Sequence, residues 1–99
     1  MSVKLFAVIL THGAGWRRSV PLEGQDDWTA HAAFMDALAE SGFIALGGPL
    51  ETTEDVLLIV RATSPVEIAD RLHDDPWHRQ DLLRISRIAP WTIRLGSLT

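Results

Sequence analysis

The hydrophobic pattern divides the chain into strand-like and helix-like segments. Residues 3–11 are apolar at most positions on both alternating faces, and residues 56–60 repeat this pattern. Such runs are typical of strands that are covered on both sides. Residues 91–95 alternate between apolar and polar side chains, which predicts a strand with one wetter face. Pro90 beside it suits an edge strand or a bulge. Residues 43–46 predict a shorter strand that a Gly-Gly-Pro sequence closes.

Two helical segments separate the predicted strands. The first follows the aspartates at 26–27, either of which can cap it, and stops at the Ser-Gly pair at 41–42. The second opens with Ser-Pro-Val-Glu at 64–67, a capping box with proline at the first helical position. It ends before Pro76, and residues 77–82 predict one further short turn.

The resulting element order, β-α-β-β-α-β, predicts a ferredoxin-like fold of the α+β class, a four-stranded antiparallel sheet with two helices on one face. We expect residues 1–99 to form a single domain, since the chain is too short for two. The first and third strands are central in this fold, which matches the two runs that are apolar on both faces. Because the helices cover one face, we expect a second copy of the chain to cover the other in a homodimer.

The directions of the predicted strands and helices place several polar residues and glycines at one end of the domain. The first strand ends there, the first helix begins there, and the second strand and second helix both end there. His12, His31, Asp75 and the Gly-Gly-Pro at 47–49 are therefore expected to lie close together. The connection over residues 12–27 is longer than connections usually are and is expected to form a lid or pocket wall at the same end.

His31 lies on the apolar stripe of the first predicted helix. Its neighbours on that stripe are Trp28, Phe34, Met35 and Leu38. A buried imidazole needs a polar partner, and the topology makes Asp75 the best candidate. A carboxylate would orient an imidazole that transfers protons near neutral pH. Two simpler interpretations stay open: His31 hydrogen-bonded to a backbone carbonyl in the core, and Asp75 as the cap of the turn that follows it.

Composition and charge narrow the classes of partner. The net charge of −4 argues against nucleic acid or an anionic membrane. No apolar run approaches the roughly 18 residues that a membrane span needs. The chain has no cysteine, which excludes disulfides and thiolate metal sites. Its first residues lead straight into a strand-like run without a small-residue cleavage site, so we expect no signal peptide and a cytoplasmic protein.

Other motifs point away from cofactors. The His-Gly-Ala-Gly sequence at 12–15 lacks the third glycine, the following helix and the Lys-Ser/Thr ending of a phosphate loop. The histidine spacings match no known ligand set, so we expect no metal and no cofactor. A metal site assembled from His12, His31 and Asp75 at the same end of the domain is the less favoured alternative. No serine lies in a recognisable nucleophile motif. Trp16, Trp28 and Trp77 fall near the expected site and can line a pocket for a flat small molecule.

Three short motifs together resemble the YCII-related (YciI-like) proteins. They are His31 with Leu38 and Gly42, then Gly47-Gly48-Pro49-Leu50, then Asp74-Asp75-Pro76-Trp77. The resemblance covers nearly the whole chain in order and spacing. It implies a dimeric ferredoxin-like α/β barrel with a catalytic pair at His31 and Asp75. The family looks related in fold to muconolactone isomerases and small cofactor-independent oxygenases, and one branch acts on chlorinated hydroquinones.

The chain departs from this family pattern at one position. Many relatives carry an arginine three positions before the histidine, where this chain has Trp28. If that arginine binds an anionic substrate, this chain loses the contact unless Arg17 or Arg18 replaces it from the loop.

The sequence thus predicts a small cofactor-independent enzyme with a lyase, isomerase or dehydrohalogenase type of reaction. His31 and Asp75 would form a proton-transfer pair. The residues expected to bind the small organic ligand are His12, Trp16, Trp28, Phe34, Gly48, Pro49 and Trp77. The alternative is a non-catalytic dimeric module that binds a ligand or has a structural role, in which the same contact only stabilises the fold.

Overall fold

The computed structural model describes residues 2–98. The four strands form one antiparallel sheet in the order β2-β3-β1-β4, so that β1 and β3 are central, and the predicted α+β ferredoxin-like class is confirmed. The elements are β1 (Lys4–His12), α1 (Trp28–Glu40), β2 (Ile44–Pro49), β3 (Asp55–Ala62), α2 (Pro65–Leu72), α3 (Pro76–Arg79) and β4 (Leu83–Pro90).

The hydrophobic core lies between the helices and one face of the sheet. Val8 of β1 and Val60 of β3 are fully buried at its centre. Each helix contributes to the same cluster, through Leu38 of α1, Ile68 of α2 and Trp77 of α3. Of the helices in the described chain, none is long and apolar enough to cross a bilayer.

The opposite face of the sheet is also apolar at its centre. Ala7 and Ile9 of β1 lie there beside their β3 partners Ile59 and Leu57. Ala7, Ile9 and Leu57 keep partial exposure in the single chain. This is the face that the predicted homodimer would cover, and the dimer stays a prediction.

The last strand differs from the sequence-based expectation. Residues 91–95 form no strand, and β4 comes earlier. That prediction was wrong because β4 contains a β-bulge, in which Ser86 has no partner on β1 while Ile85 and Arg87 on either side do. The extra residue breaks the two-residue period by which a strand is recognised. Pro90 does lie in an edge strand, at the end of β4.

Strand β2 also differs at its end. The Gly-Gly-Pro sequence that was expected to close it is part of the strand, since Gly47 pairs with Leu58 and Pro49 with Val56. Gly47 suits this place because a Cβ atom there would lie 2.7 Å from Cδ2 of Leu58. The small residue leaves room on the helix-facing side of the sheet, where the candidate site lies.

The start of α1 is not capped as expected. Asp27 occupies the cap position with φ of 54° and makes no side-chain cap bond. Its carboxylate accepts a hydrogen bond from Gln80, and that of Asp26 pairs with Arg17. Asp27 therefore ties the loop to the residue that follows α3, whereas the pair of Asp26 with Arg17 lies within the loop itself. The end of α1 is as predicted, with Gly42 at φ of 86° directly after it.

The two following helices have the predicted N-cap residues, with two differences in detail. Glu67 accepts from the N–H of Thr63 and not from that of Ser64, and α3 lies slightly before the turn expected over residues 77–82. The hydroxyl of Ser64 accepts from the backbone N–H of Glu67 at 3.2 Å, with Pro65 in the first turn. A carboxylate oxygen of Asp75 accepts from the N–H of Trp77 at 3.0 Å and caps α3. Proline as the first residue of α3 leaves Asp75 in an extended conformation. This geometry directs the Asp75 carboxylate toward both α3 and α1.

Candidate functional site

The predicted contact between His31 and Asp75 is present and buried. His31 lies in α1 and is 8% exposed, and Asp75 lies before α3 and is 3% exposed. Nδ1 of His31 lies 2.9 Å from each carboxylate oxygen of Asp75. The same carboxylate also caps α3, so the contact with His31 and the cap that the sequence offered are both present.

The contact determines which ring nitrogen is available for chemistry. An ionised carboxylate can only accept hydrogen bonds, so Nδ1 of His31 donates and the neutral ring has its lone pair on Nε2. Nε2 makes no hydrogen bond to residues 2–98. Every side-chain nitrogen and oxygen in that range that is inaccessible to solvent has a hydrogen-bond partner, so Nε2 must be accessible. Nε2 is therefore open to the adjoining cavity.

A set of stacked rings holds the imidazole in place. Trp77 stacks on His31 with ring centroids 3.7 Å apart and planes at 6°. The indole N–H of Trp77 donates to the backbone oxygen of Asp26, which fixes the indole in turn. Trp16 meets Trp77 edge to face at 5.4 Å, and His12 stacks on Trp16 at 3.8 Å. The rings form a continuous wall from His12 to His31.

The wall borders a cavity of about 580 Å³ between α1, the sheet and the loop over residues 13–27. This volume is in the range of small-molecule sites. The predicted ligand-binding residues that line it are His12, Trp16, Trp28, Gly48, Pro49 and Trp77. Phe34 lies outside the lining and packs against the core cluster, because the lining residues of α1 recur one turn apart, at 28, 31–32, 35–36 and 39, and leave Phe34 beside that stripe. His31 lines the cavity and Asp75 lies behind it.

Some lining residues were not among those predicted. Asp55 is the first residue of β3, and strand direction alone would have placed it at this end. Asp36 and Met35 lie on α1 beyond His31, and Met35 was on the stripe that the helical pattern identified. Asp36 follows one turn after Ala32, which also lines the cavity.

The loop over residues 13–27 is a structured wall. Gln25 is 3% exposed, and its side-chain amide bonds both backbone groups of Arg17 and the backbone oxygen of Val20. At the start of the loop, the N–H of Gly13 donates to Leu82 and that of Gly15 to Asp81. The glycines therefore serve close packing against the chain before β4, since a Cβ on Gly13 would lie 2.2 Å from the Asp81 backbone oxygen.

Carboxylates line the cavity, whereas no lysine or arginine of residues 2–98 does. Burial lowers the pKa of His12, although the nearby carboxylates of Glu54 and Asp55 act in the opposite direction. The two loop cations that could replace the missing arginine do not line the cavity. Arg17 pairs with Asp26, and Arg18 lies 3.4 Å from Glu54 with most of its side chain exposed.

Residues 2–98 contain no group of three or more histidine, aspartate or glutamate side chains placed to hold a metal ion. What the arrangement offers chemically is an oriented imidazole at the edge of a mainly apolar cavity. Such a group can take a proton from a bound molecule and return it.

Comparison with known proteins gives one informative match. No protein-family model matches the chain, and no curated protein matches it. The solved structure of 5-chloro-2-hydroxyhydroquinone dehydrochlorinase from Burkholderia phenoliruptrix AC1100, in complex with 2,5-dihydroxybenzoquinone, is similar with a TM-score of 0.60. The sequences are 22% identical, and the match covers 93% of this chain and 95% of the other. The likeness shows a shared fold, which agrees with the YCII-like fold that the sequence resemblance implied.

Proposed function

We propose that this protein is a cofactor-independent enzyme that binds a small ring compound and moves a proton with His31. The observation that carries the proposal is the buried 2.9 Å contact from Nδ1 of His31 to Asp75, with Nε2 open to the cavity. Asp75 does not touch the ligand in this account. It positions the imidazole and stabilises its protonated form.

The reaction begins when Nε2 of His31 accepts a proton from a C–H or O–H group of the bound ring. The resulting imidazolium is balanced by the ionised carboxylate of Asp75. In an isomerisation, Nε2 returns the proton to another atom of the ring. In an elimination, the electrons of the broken C–H bond form a new double bond, and the leaving group departs with the electrons of its own bond. Nε2 then releases its proton to solvent or to the departed group, which restores the neutral imidazole. Either sequence balances without a redox partner.

The structural neighbour supports this class of reaction. Its name describes a dehydrochlorinase, and its complex holds a small ring compound. A shared fold does not by itself transfer function, so the stronger support for this chain comes from its own cavity and His–Asp pair. We propose that the reaction on the ring compound is of the lyase, isomerase or dehydrohalogenase type. We also propose that the active form is a homodimer.

A second candidate is a non-catalytic ligand-binding module. It is favoured by the structural contacts of the same residues, since Asp75 caps α3 and Trp77 stacks on His31. In that case the pair would hold α1 against α3 and take no part in chemistry.

Turnover assays on hydroxylated and halogenated phenols separate the two candidates. Asp75→Asn retains a good cap residue but removes the charge, and Asp74→Asn makes the same change at a neighbouring exposed side chain. We expect His31→Gln and Asp75→Asn each to lower turnover by about 100-fold or more. The double variant should lose little beyond either single one, because the two groups act as a unit. Asp74→Asn should be unaffected.

Two results would contradict the catalytic proposal. One is turnover that survives in both His31→Gln and Asp75→Asn. The other is saturable binding without turnover in the native protein, with variants that lose stability by about 1–3 kcal/mol yet keep binding. The second result would establish the binding module.

A further inference from the structure

The polar residues that line the cavity include acids and histidines but no permanent cation. They are His12, His31, Asp36, Thr53 and Asp55. The hydroxyl of Thr53 is already used, because it donates to the backbone oxygen of Leu50 at 2.7 Å. When His31 is protonated, the ionised Asp75 beside it cancels the charge. Within the described chain, the cavity lining thus supplies no net positive charge to a ligand.

The cations of the adjoining loop pair with carboxylates that lie outside the cavity lining, although Arg18 is close enough to His12 to help lower its pKa. Arg17 forms an ion pair with Asp26, and Arg18 is 86% exposed at its side chain and lies near Glu54. Arg84, further along the chain, donates two hydrogen bonds to Asp81. None of these arginines lines the cavity.

This charge distribution discriminates between ligands of equal size. A carboxylate that enters a mainly apolar cavity loses its hydration, and here it would gain no cation in exchange. It would also face the carboxylates of Asp36 and Asp55, and like charges brought together across a binding site cost affinity. A hydroxyl group has the opposite preference, because it can donate to a carboxylate or to a neutral imidazole nitrogen.

We infer that the cavity takes uncharged, hydroxylated ring compounds and rejects ring carboxylates of the same shape. The inference rests on the proposed function, since it concerns the ligand of the same site. It narrows the substrate class to phenol-like molecules whose hydroxyl groups are donors. Aromatic acids, although similar in shape, are excluded by charge.

A matched pair of ligands tests the inference on the intact protein. At neutral pH, 4-hydroxybenzamide is uncharged and 4-hydroxybenzoate is an anion of nearly the same shape. The indole N–H resonances report binding, because Trp16, Trp28 and Trp77 line the cavity whereas Trp91 does not and serves as an internal control. We expect the amide to bind at least about tenfold more tightly than the acid.

A charge insertion identifies the cause of the selectivity. Ala39 and Ala37 are both exposed on α1, but Ala39 lines the cavity and Ala37 does not. Ala39→Lys should tighten binding of 4-hydroxybenzoate several-fold and so reduce the ratio of amide affinity to acid affinity. Ala37→Lys adds the same charge on the same helix and should leave the ratio unchanged.

The outcomes distinguish the charge selectivity of the cavity from its ability to bind a ring compound at all. Equal affinity for amide and acid in the native protein would overturn the charge inference and leave ring binding standing. An equal change of the ratio in both lysine variants would overturn the role of the cavity lining. If neither compound shifts the cavity indoles, the proposed ring-binding function fails and the inference fails with it.

Discussion

At the scale of single residues, Asp75 both stabilises a helix and contacts the candidate catalytic histidine. Its carboxylate contacts the ring of His31 and also caps α3, and Pro76 holds its backbone in the extended conformation that allows both. Trp77, two residues later, stacks on the imidazole that Asp75 binds. A short stretch of chain thus fixes both the hydrogen bonding and the plane of His31.

His12 gives a pH-dependent prediction at this scale. Burial lowers its pKa from the usual 6.5, against the opposing effect of Glu54 and Asp55. A lowered histidine pKa means that the fold favours the neutral form, so this contribution to stability is complete above 6.5 and is lost as the pH falls through the lower value. We expect the NMR titration midpoint of His12 to lie below 6.5 and to fall further in Glu54→Gln. Glu51→Gln, in the same turn, is the control; a midpoint above 6.5 would contradict the assignment.

The His31–Asp75 contact could be predicted from the sequence because two independent features, helical periodicity and strand direction, pointed to it. The helical period placed an imidazole among buried residues, and strand direction placed Asp75 at the same end. Gln25 carried no such signal. Its burial depends on backbone groups of residues 17 and 20, and the loop conformation that presents them has no periodicity to read.

At the scale of elements, the wall loop depends on that glutamine. Gln25→Ala leaves the backbone N–H and C=O of Arg17 and the C=O of Val20 without their partner. We expect it to destabilise the protein by about 1–3 kcal/mol and to raise hydrogen exchange in residues 17–25. Gln80→Ala removes an exposed glutamine side chain that bonds only Asp27 among the described residues, and should cost less. Equal exchange in the two variants would mean that Gln25 does not organise the loop.

The strands show where pattern analysis succeeds and where it fails. β1 and β3 were predicted because both of their faces carry apolar side chains, which gives continuous apolar runs in the sequence. β4 was placed too late because the bulge at Ser86 shifts the alternation, while residues 91–95 alternate without forming a strand. A bulge is a property of strand pairing, so it cannot be recognised before the partner strand is known.

At the scale of the whole molecule, the sheet leaves one apolar face without a helix among the described elements. We expect this face to form the homodimer interface and to bury roughly 1,200–2,000 Å² in total. Leu57→Lys places a charge on this face and should convert the dimer to a monomer of lower thermal stability, because folding and association are coupled. Val66→Lys, on an exposed position of α2, should change neither property. A native protein that sediments as a folded monomer at micromolar concentration would contradict this prediction.

The nitrogen chemical shifts of the His31 ring show whether Asp75 holds the imidazole with Nε2 free for proton transfer. Long-range proton–nitrogen NMR on labelled protein distinguishes the two neutral tautomers without any knowledge of the substrate. We expect neutral His31 to carry its proton on Nδ1, toward Asp75, and a ring ligand in the cavity to shift the Nε2 resonance. A neutral ring protonated on Nε2, or an Nε2 resonance that a bound ring ligand leaves unchanged, would contradict this expectation.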